Sequence, residues 1–288
     1  MEAAEAPAIA PDGKPVDPTS DPKAAVDLAR RYLRGEGVAT DPRKARDLVS
    51  PHAEAGHPEA QALMGYFSAQ GLGTPKDDLV AIRWFRKAAD QGNSAAQFNL
   101  GMLLLAGKNA EANLAESLKG ISEALNWLEA AANQGNLDAQ LRLADLFYFG
   151  SDGIEKDRAK ALPWARRAAE SGNRWAQQLY GNMLEWGEGG LKADRSLALV
   201  WYRKAAEQGD AKAQSSLGRI LAGSTEPADE LEAYVWLRLS AEQKEQTAIN
   251  YIKEHIEALT DEQINEGNRL YLKKKAELES RNTASDRS

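Results

Sequence analysis

Residues 81–107 read AIRWFRKAADQGNSAAQFNLGMLLLAG, and two patterns inside this stretch recur along the chain. The first is Ala-x-x-Trp, met at Ala81/Trp84, Ala124/Trp127, Ala161/Trp164, Ala198/Trp201 and Ala233/Trp236, with a leucine variant at Ala45/Leu48. The second opens on a small residue upstream of each of these, at Ala24, Ala60, Ala96, Ala139, Ala176 and Ala213. Successive openings lie 36, 36, 43, 37 and 37 residues apart, so one unit carries about seven extra residues and the register otherwise holds. A period in this range marks an array in which each unit leans on its neighbours.

Counting from the opening alanine, positions 1, 5, 9 and 12 of each unit fall on one face of a helix at 3.6 residues per turn. That face carries Leu28 and Tyr32, Leu100 and Leu104, Leu143 and Phe147, and Tyr180 and Leu184, and is expected to pack inward. Position 6 is Gly65, Gly101, Gly181 and Gly218, with Ala29 and Ala144 as exceptions. Glycine inside a helix costs about 1 kcal/mol relative to alanine, so its recurrence implies close approach of a neighbouring helix. The one-per-unit tryptophan is expected to be a core residue.

Glycine turns follow the first helix at Gly35-Glu36-Gly37, Gly71-Leu72-Gly73, Gly150 to Gly153 and Gly187-Glu188-Gly189. Without a preceding strand or a third glycine they are helix stops, not phosphate-binding loops. A second helix is expected to open at Asp41-Pro42, Thr74-Pro75, Asp157 or Asp194 and to close on Gly56, Gly92, Gly135, Gly172 or Gly209. In unit 1, Pro51 is expected to bend or shorten that helix. Unit 6 has Lys244 where the closing glycine belongs, and Thr260 with Gln263 forms a capping-box pattern further on.

The segments AQFNLGMLLLAG and AIRWFRKAADQGN resemble the Sel-like (suppressor/enhancer of lin) repeat, a relative of the tetratricopeptide repeat. The resemblance implies an all-α, right-handed α/α superhelix (solenoid) of about six helix-turn-helix repeats. It would occupy residues 23–245, with capping helices over 246–280, a Pro/Ala-rich linker over 1–22 and a disordered tail over 281–288. It also implies a non-enzymatic protein-binding function. Bacterial members act as adaptors, signalling regulators, host-interaction factors and immunity proteins against secreted lipase effectors.

Composition narrows the function classes. The net charge of -7, with basic and acidic residues interspersed, gives no basic stripe of the kind nucleic acid requires. No apolar run is long enough to span a bilayer. With no cysteine, thiolate nucleophiles, disulfides and cysteine-ligated metals are excluded, which also weakens the hydrolase reading taken from cysteine-rich relatives. The three histidines, His52, His57 and His255, form no site in the sequence, and neither cofactor nor metal is expected. Residues 1–22 hold five of the eleven prolines and lack the regions of a secretory signal. Two readings stay open for them: the spacer of a periplasmic or envelope protein whose signal or lipid anchor has been removed, or the start of a cytoplasmic one.

By the same resemblance the first helices line a concave groove, at positions 3, 7, 10 and 11. In the middle units these positions hold an apolar and aromatic stripe of Tyr66, Phe98, Met102, Leu105, Tyr148, Phe149 and Trp186, rimmed by Asp145 and Glu185. Exposed patches of this composition mark interaction sites, so these nine residues are the candidate site for a protein partner, a secreted toxin or effector being the most concrete one. The alternative is that adjacent repeats bury these side chains, above all Phe98 and Leu105. The extra residues, KNAEANLAESLKGISE between Gly107 and Ala124, read as a lengthened turn, either functional or neutral.

Overall fold

The computed structural model describes residues 20–107, 114–151, 153–224, 226–256 and 259–285. The expected leader up to residue 19, residues 108–113 of the insertion and residues 286–288 lie outside the described residues. The chain divides into two compact units, Met1–Leu143 and Ala144–Ser288. Among the described residues the secondary structure is helical apart from one isolated bridge, Ser151 with Ile154. No described helix is long and apolar enough to cross a membrane.

The first unit contains α1 (Pro22–Arg34), α2 (Pro42–Glu54), α3 (Pro58–Gln70), α4 (Asp78–Asp90), α5 (Ser94–Gly107) and α6 (Leu114–Asn133), each packed on the next. The division falls within α7 (Leu137–Phe149). The second unit contains α8 (Arg158–Glu170), α9 (Arg174–Trp186), α10 (Arg195–Glu207), α11 (Ala211–Leu221) and α12 (Pro227–Glu242), again packed in succession. After them come α13 (Gln246–Ile256) and α14 (Asp261–Ser285), both packed on α12. The chain is therefore an all-α repeat of helix pairs. Odd-numbered helices from α1 to α11 are the first of each pair and even-numbered ones from α2 to α12 the second.

Local chemistry explains where each helix starts and stops. The closing glycines Gly56, Gly92, Gly135, Gly172 and Gly209 all have φ between 83° and 100°, a left-handed conformation that costs other residues strain. The residue after each caps the following helix. Asn93 Oδ1 accepts from the Ala96 amide, Asn136 from Ala139, Asn173 from Ala176 and Asp210 from Ala213. His57 does the same through Nδ1 to Ala60. Thr260 and Gln263 exchange the backbone and side-chain bonds of a capping box ahead of α14.

Four sequence expectations need correction. Pro51 does not shorten α2, which at 13 residues equals α4 in length. Only one ladder donor is missing there, and the Pro51 carbonyl still accepts from Ala55. The second helix of unit 2 opens at Asp77, not Thr74-Pro75, because the Asp77 carboxylate takes the Val80 amide at 2.9 Å. From Leu114 onward the inserted residues are helix, making α6 20 residues long where its counterparts α4, α8 and α10 have 13. The last helix continues to Ser285, past the expected end of order at 280.

The opening alanines from Ala60 to Ala213 are fully buried, and the glycines five residues on are close-approach points. A Cβ on Gly101 would lie 2.8 Å from Leu128 and 3.0 Å from the Ala124 carbonyl; on Gly218 it would meet Leu237 at 2.7 Å. Except for Trp236, which is fully buried, the tryptophans are not the innermost residues of the second helices. The residue after each is: Val49, Phe85, Leu128, Ala165, Tyr202 and Leu237 are all buried to within 1%. Trp164 and Trp236 are buried, but Trp84, Trp127 and Trp201 are half-buried, the first two at the seam with the preceding repeat. Trp84 packs on the cluster of Val49 and Phe67, and Trp127 on that of Phe85 and Leu100. A cation one turn on covers several of these rings, Lys87 at 4.5 Å over Trp84 and Lys204 at 4.1 Å over Trp201.

A second column binds the repeats through hydrogen bonds. The glutamine after each opening alanine from Ala60 onward is buried and donates to a carbonyl eight residues back: Gln61 to Ala53, Gln97 to Ala89, Gln140 to Ala132, Gln177 to Ala169 and Gln214 to Ala206. In four of the five its own oxygen then accepts from a glutamine at the end of the pair's second helix, Gln91 to Gln61, Gln134 to Gln97, Gln208 to Gln177 and Gln243 to Gln214, at 2.7–2.9 Å. Each of these carbonyls also accepts from the amide of the closing glycine, so the glutamine supplies a second donor where one helix turns into the next.

Lys244 has φ of 65°, the one positive value on a non-glycine among the described residues. A side chain there costs about 1–2 kcal/mol, and glycine gives back part of the gain through a freer unfolded chain. Lys244→Gly is therefore expected to stabilise the fold by about 0.5–1 kcal/mol, read as a higher urea midpoint. A lower midpoint would contradict it.

Candidate partner-binding surface

The nine candidate residues do not form one stripe of uniform exposure, and they are divided between the two compact units. In the first, Tyr66 on α3 is exposed, Phe98 and Met102 on α5 are half-buried and Leu105 is buried. Leu105 is thus removed from the surface. Helix α5, SAAQFNLGMLLLAG, is apolar on nearly all sides, so its sequence period cannot tell the inward leucine from its neighbours. Leu104, the expected inward residue, is only half-buried.

In the second unit Asp145 and Tyr148 are half-buried, while Phe149 and Trp186 are 52% and 64% exposed. Phe149 and Trp186 hold the same frame position, the last of their helices, where earlier repeats have Arg34, Gln70 and Ala106. Tyr148 packs edge-on against Phe149 with ring centroids 4.8 Å apart. The Arg158 guanidinium lies 5.1 Å from the Tyr148 ring centroid and pairs with Glu188 at 3.1 Å. Partial burial, then the neighbouring Glu188 carboxylate, push the Tyr148 phenol up to about 12. The result is a fixed aromatic and ionic cluster at the C-terminal ends of α7 and α9, the residue types that supply most interface hot spots.

Glu185 is not a rim acid. Its side chain is 1% exposed and accepts from Arg219 Nη2 through both oxygens, at 2.6 and 2.7 Å. The hydroxyl of the fully buried Tyr202 donates within the same group, 2.6 Å from Asn182 Oδ1 and 3.0 Å from Glu185 Oε2. Burial above all, and then the Glu185 carboxylate, raise the Tyr202 phenol far above its ordinary value. Asn182, Glu185, Tyr202 and Arg219 thus tie α9, α10 and α11 together beneath the surface that presents Trp186. The sequence held a signal for this: a tyrosine at the innermost frame position, where Phe85 stands in unit 2, needs a buried acceptor.

The profile of the Sel1 repeat matches the chain six times, at residues 22–57, 58–93, 94–136, 137–173, 176–210 and 211–245. The chain is similar to the crystal structure of c5321, a protective antigen of uropathogenic Escherichia coli strains displaying an SLR fold. The identity is 34%, the TM-score 0.68, and the match covers 88% of this chain and 53% of that one. It is also similar to a Sel1 repeat protein from Oxalobacter formigenes, at 29% identity and a TM-score of 0.61, over 81% of this chain and 91% of that one. Mouse DAP3-binding cell death enhancer 1 is 32% identical over 94 residues, 32% of this chain and 18% of that protein. The present chain thus spans about half the length of the antigen and less than a fifth of the mouse protein.

Proposed function

The chain belongs to the Sel1 repeat family, and on that premise we propose that it is a non-enzymatic binding protein that holds a protein partner against the exposed edges of its first helices. The observation that carries this reading is the pair Phe149 and Trp186, large aromatic side chains left in solvent at one frame position of neighbouring repeats. Trp186 stands on a helix tied to its neighbours by the Glu185–Arg219 network, and Phe149 packs edge-on against Tyr148. A rigid aromatic anchor loses little conformational freedom on binding and is the commonest kind of hot spot.

In its most specific form the reading makes the chain an immunity or inhibitor protein, neutralising one secreted lipase-type effector in the periplasm or at the envelope. Scaffolding of envelope or polysaccharide machinery, or a regulatory role in signalling, is the other form of the same binding function. Affinity capture with the full chain separates them: immunity requires one stoichiometric partner whose esterase activity is lost on mixing, whereas a scaffold retains several. In either form Phe149→Ala and Trp186→Ala are each expected to weaken partner affinity at least about tenfold, or about 1.4 kcal/mol, with an unchanged helical spectrum. Equal affinity of the well-folded double variant for the captured partner would sink the surface.

A further inference from the structure

A second feature of the same helix edges lies in the first unit, and it specifies the chemistry of what binds there. Between α1 and α3 a cleft of about 330 Å³ is lined by Arg30, Leu33, Arg34, Leu63, Tyr66 and Leu72. Its floor is apolar, because Leu33, Leu63 and Leu72 are half-buried against the core cluster of Val26, Tyr32 and Phe67. Its rim carries two guanidinium groups, Arg30 and Arg34, one turn apart on α1 and hence on one side of that helix. Tyr66 is 40% exposed and its hydroxyl makes no hydrogen bond to any described residue.

The arginines are engaged only loosely. Arg30 lies 3.6 Å from both Asp27 and Glu59, and Arg34 lies 3.4 Å from Glu36, with side chains 42% and 64% exposed. Ion pairs this open are worth little, so an incoming carboxylate can exchange with them at small cost. A guanidinium presents a planar fork that matches a carboxylate, and the Tyr66 hydroxyl can add a third donor. The leucines meanwhile offer burial to an aliphatic or aromatic group beside that carboxylate. Neither a purely apolar nor a basic ligand would use both parts of the cleft.

We propose that this cleft is a subsite for an acidic–apolar segment of the protein partner, in which an Asp or Glu side chain is seated between Arg30, Arg34 and Tyr66 and a neighbouring apolar side chain on the three leucines. The inference rests on the protein-binding reading and assigns the partner a chemistry that the exposed aromatics of the second unit do not.

Selection of a random seven-residue peptide display library on the immobilised full chain tests it. Enriched peptides are then synthesised and titrated by fluorescence polarisation. The expected consensus carries Asp or Glu within two residues of Leu, Ile, Val or Phe. Its affinity should fall at least tenfold in Arg30→Gln/Arg34→Gln, about threefold in Tyr66→Phe, and with added salt, and should be unchanged in Trp186→Ala. Arg34→Gln alone, the more exposed position, serves if the double variant unfolds. Neutral or basic peptides, no enrichment over an unrelated bait, or affinity indifferent to the arginine variants would each overturn the subsite. Peptides that ignore the arginines but are lost in Trp186→Ala would overturn it and leave the broader reading standing. Arginine-dependent peptides together with a native partner indifferent to Phe149 and Trp186 would support the subsite and remove the aromatic surface.

Discussion

Arg219→Leu is expected to destabilise the second unit by about 3 kcal/mol, at the low end of the range for breaking a buried ion pair, since Arg219 is 23% exposed and the pair is only partly withdrawn from water. The loss comes from what is left behind: a Glu185 carboxylate 1% exposed, with the Tyr202 hydroxyl as a donor but no cation. If this is the cause, Glu185→Gln in the Arg219→Leu background must recover part of the loss, giving a coupling energy of about 1 kcal/mol or more in the double-mutant cycle. Urea titration gives the total, and amide exchange should place the loosening in α9, α10 and α11. Additive single effects would show that the pair contributes nothing beyond its separate parts. The same region should weaken in base. Tyr202 and Tyr148 hold their protons in the fold when unfolded phenols ionise near pH 10. Their stabilising contribution is therefore whole below that pH and declines as pH rises above it.

What could be read from the sequence, and what could not, divides along a physical line. Positions that demand one residue type for backbone or steric reasons were legible: the opening alanines have no room for a larger side chain, the closing glycines sit at positive φ, and Gly101 and Gly218 face carbonyls and leucines at contact distance. Positions defined by a partner elsewhere were not. Recurring Ala-Gln at 60–61, 96–97, 139–140, 176–177 and 213–214 was available as a pattern, but glutamine usually belongs on the surface, and only the folded carbonyls show why it is inside. Tryptophan misled in the opposite sense. Its size suggested the centre of the core, which holds at Trp164 and Trp236, whereas at Trp84 and Trp127 the next residue holds that place and the indole closes the seam between repeats. At the candidate surface the frame located Phe149 and Trp186 correctly on exposed edges. It left Leu105 open between groove and burial, because α5 is apolar on nearly all sides, and it failed at Glu185, whose burial depends on Arg219 in the next repeat.

Gly189→Ala and Gly190→Ala test whether the Gly-x-Gly turn is a contact between repeats or merely a helix stop. Both glycines have positive φ, 67° and 89°, so both alanines would pay the same backbone strain of about 1–2 kcal/mol. Their surroundings differ. A Cβ on Gly190 meets nothing within 4 Å, whereas on Gly189 it would lie 2.5 Å from the carbonyl oxygen of Arg158, at the first residue of α8. Gly73 stands in the same relation to Pro42 at the start of α2, with 2.7 Å to its carbonyl oxygen, and its own carbonyl accepts from Arg46. The second glycine of the turn is thus where one repeat's loop rests on the N-terminus of the previous repeat's second helix. Backbone cannot swing aside as a side chain can, so the crowding adds about 1–3 kcal/mol. Gly189→Ala should therefore lose about 2–5 kcal/mol in all, against about 1–2 for Gly190→Ala. Because each repeat of a solenoid is stabilised mainly by its neighbours, the excess loss should appear in amide exchange of α8 as well as α10. Equal losses in the two variants would mean that the turn carries no stacking contact, and that the spacing of these repeats is set by the helix faces alone.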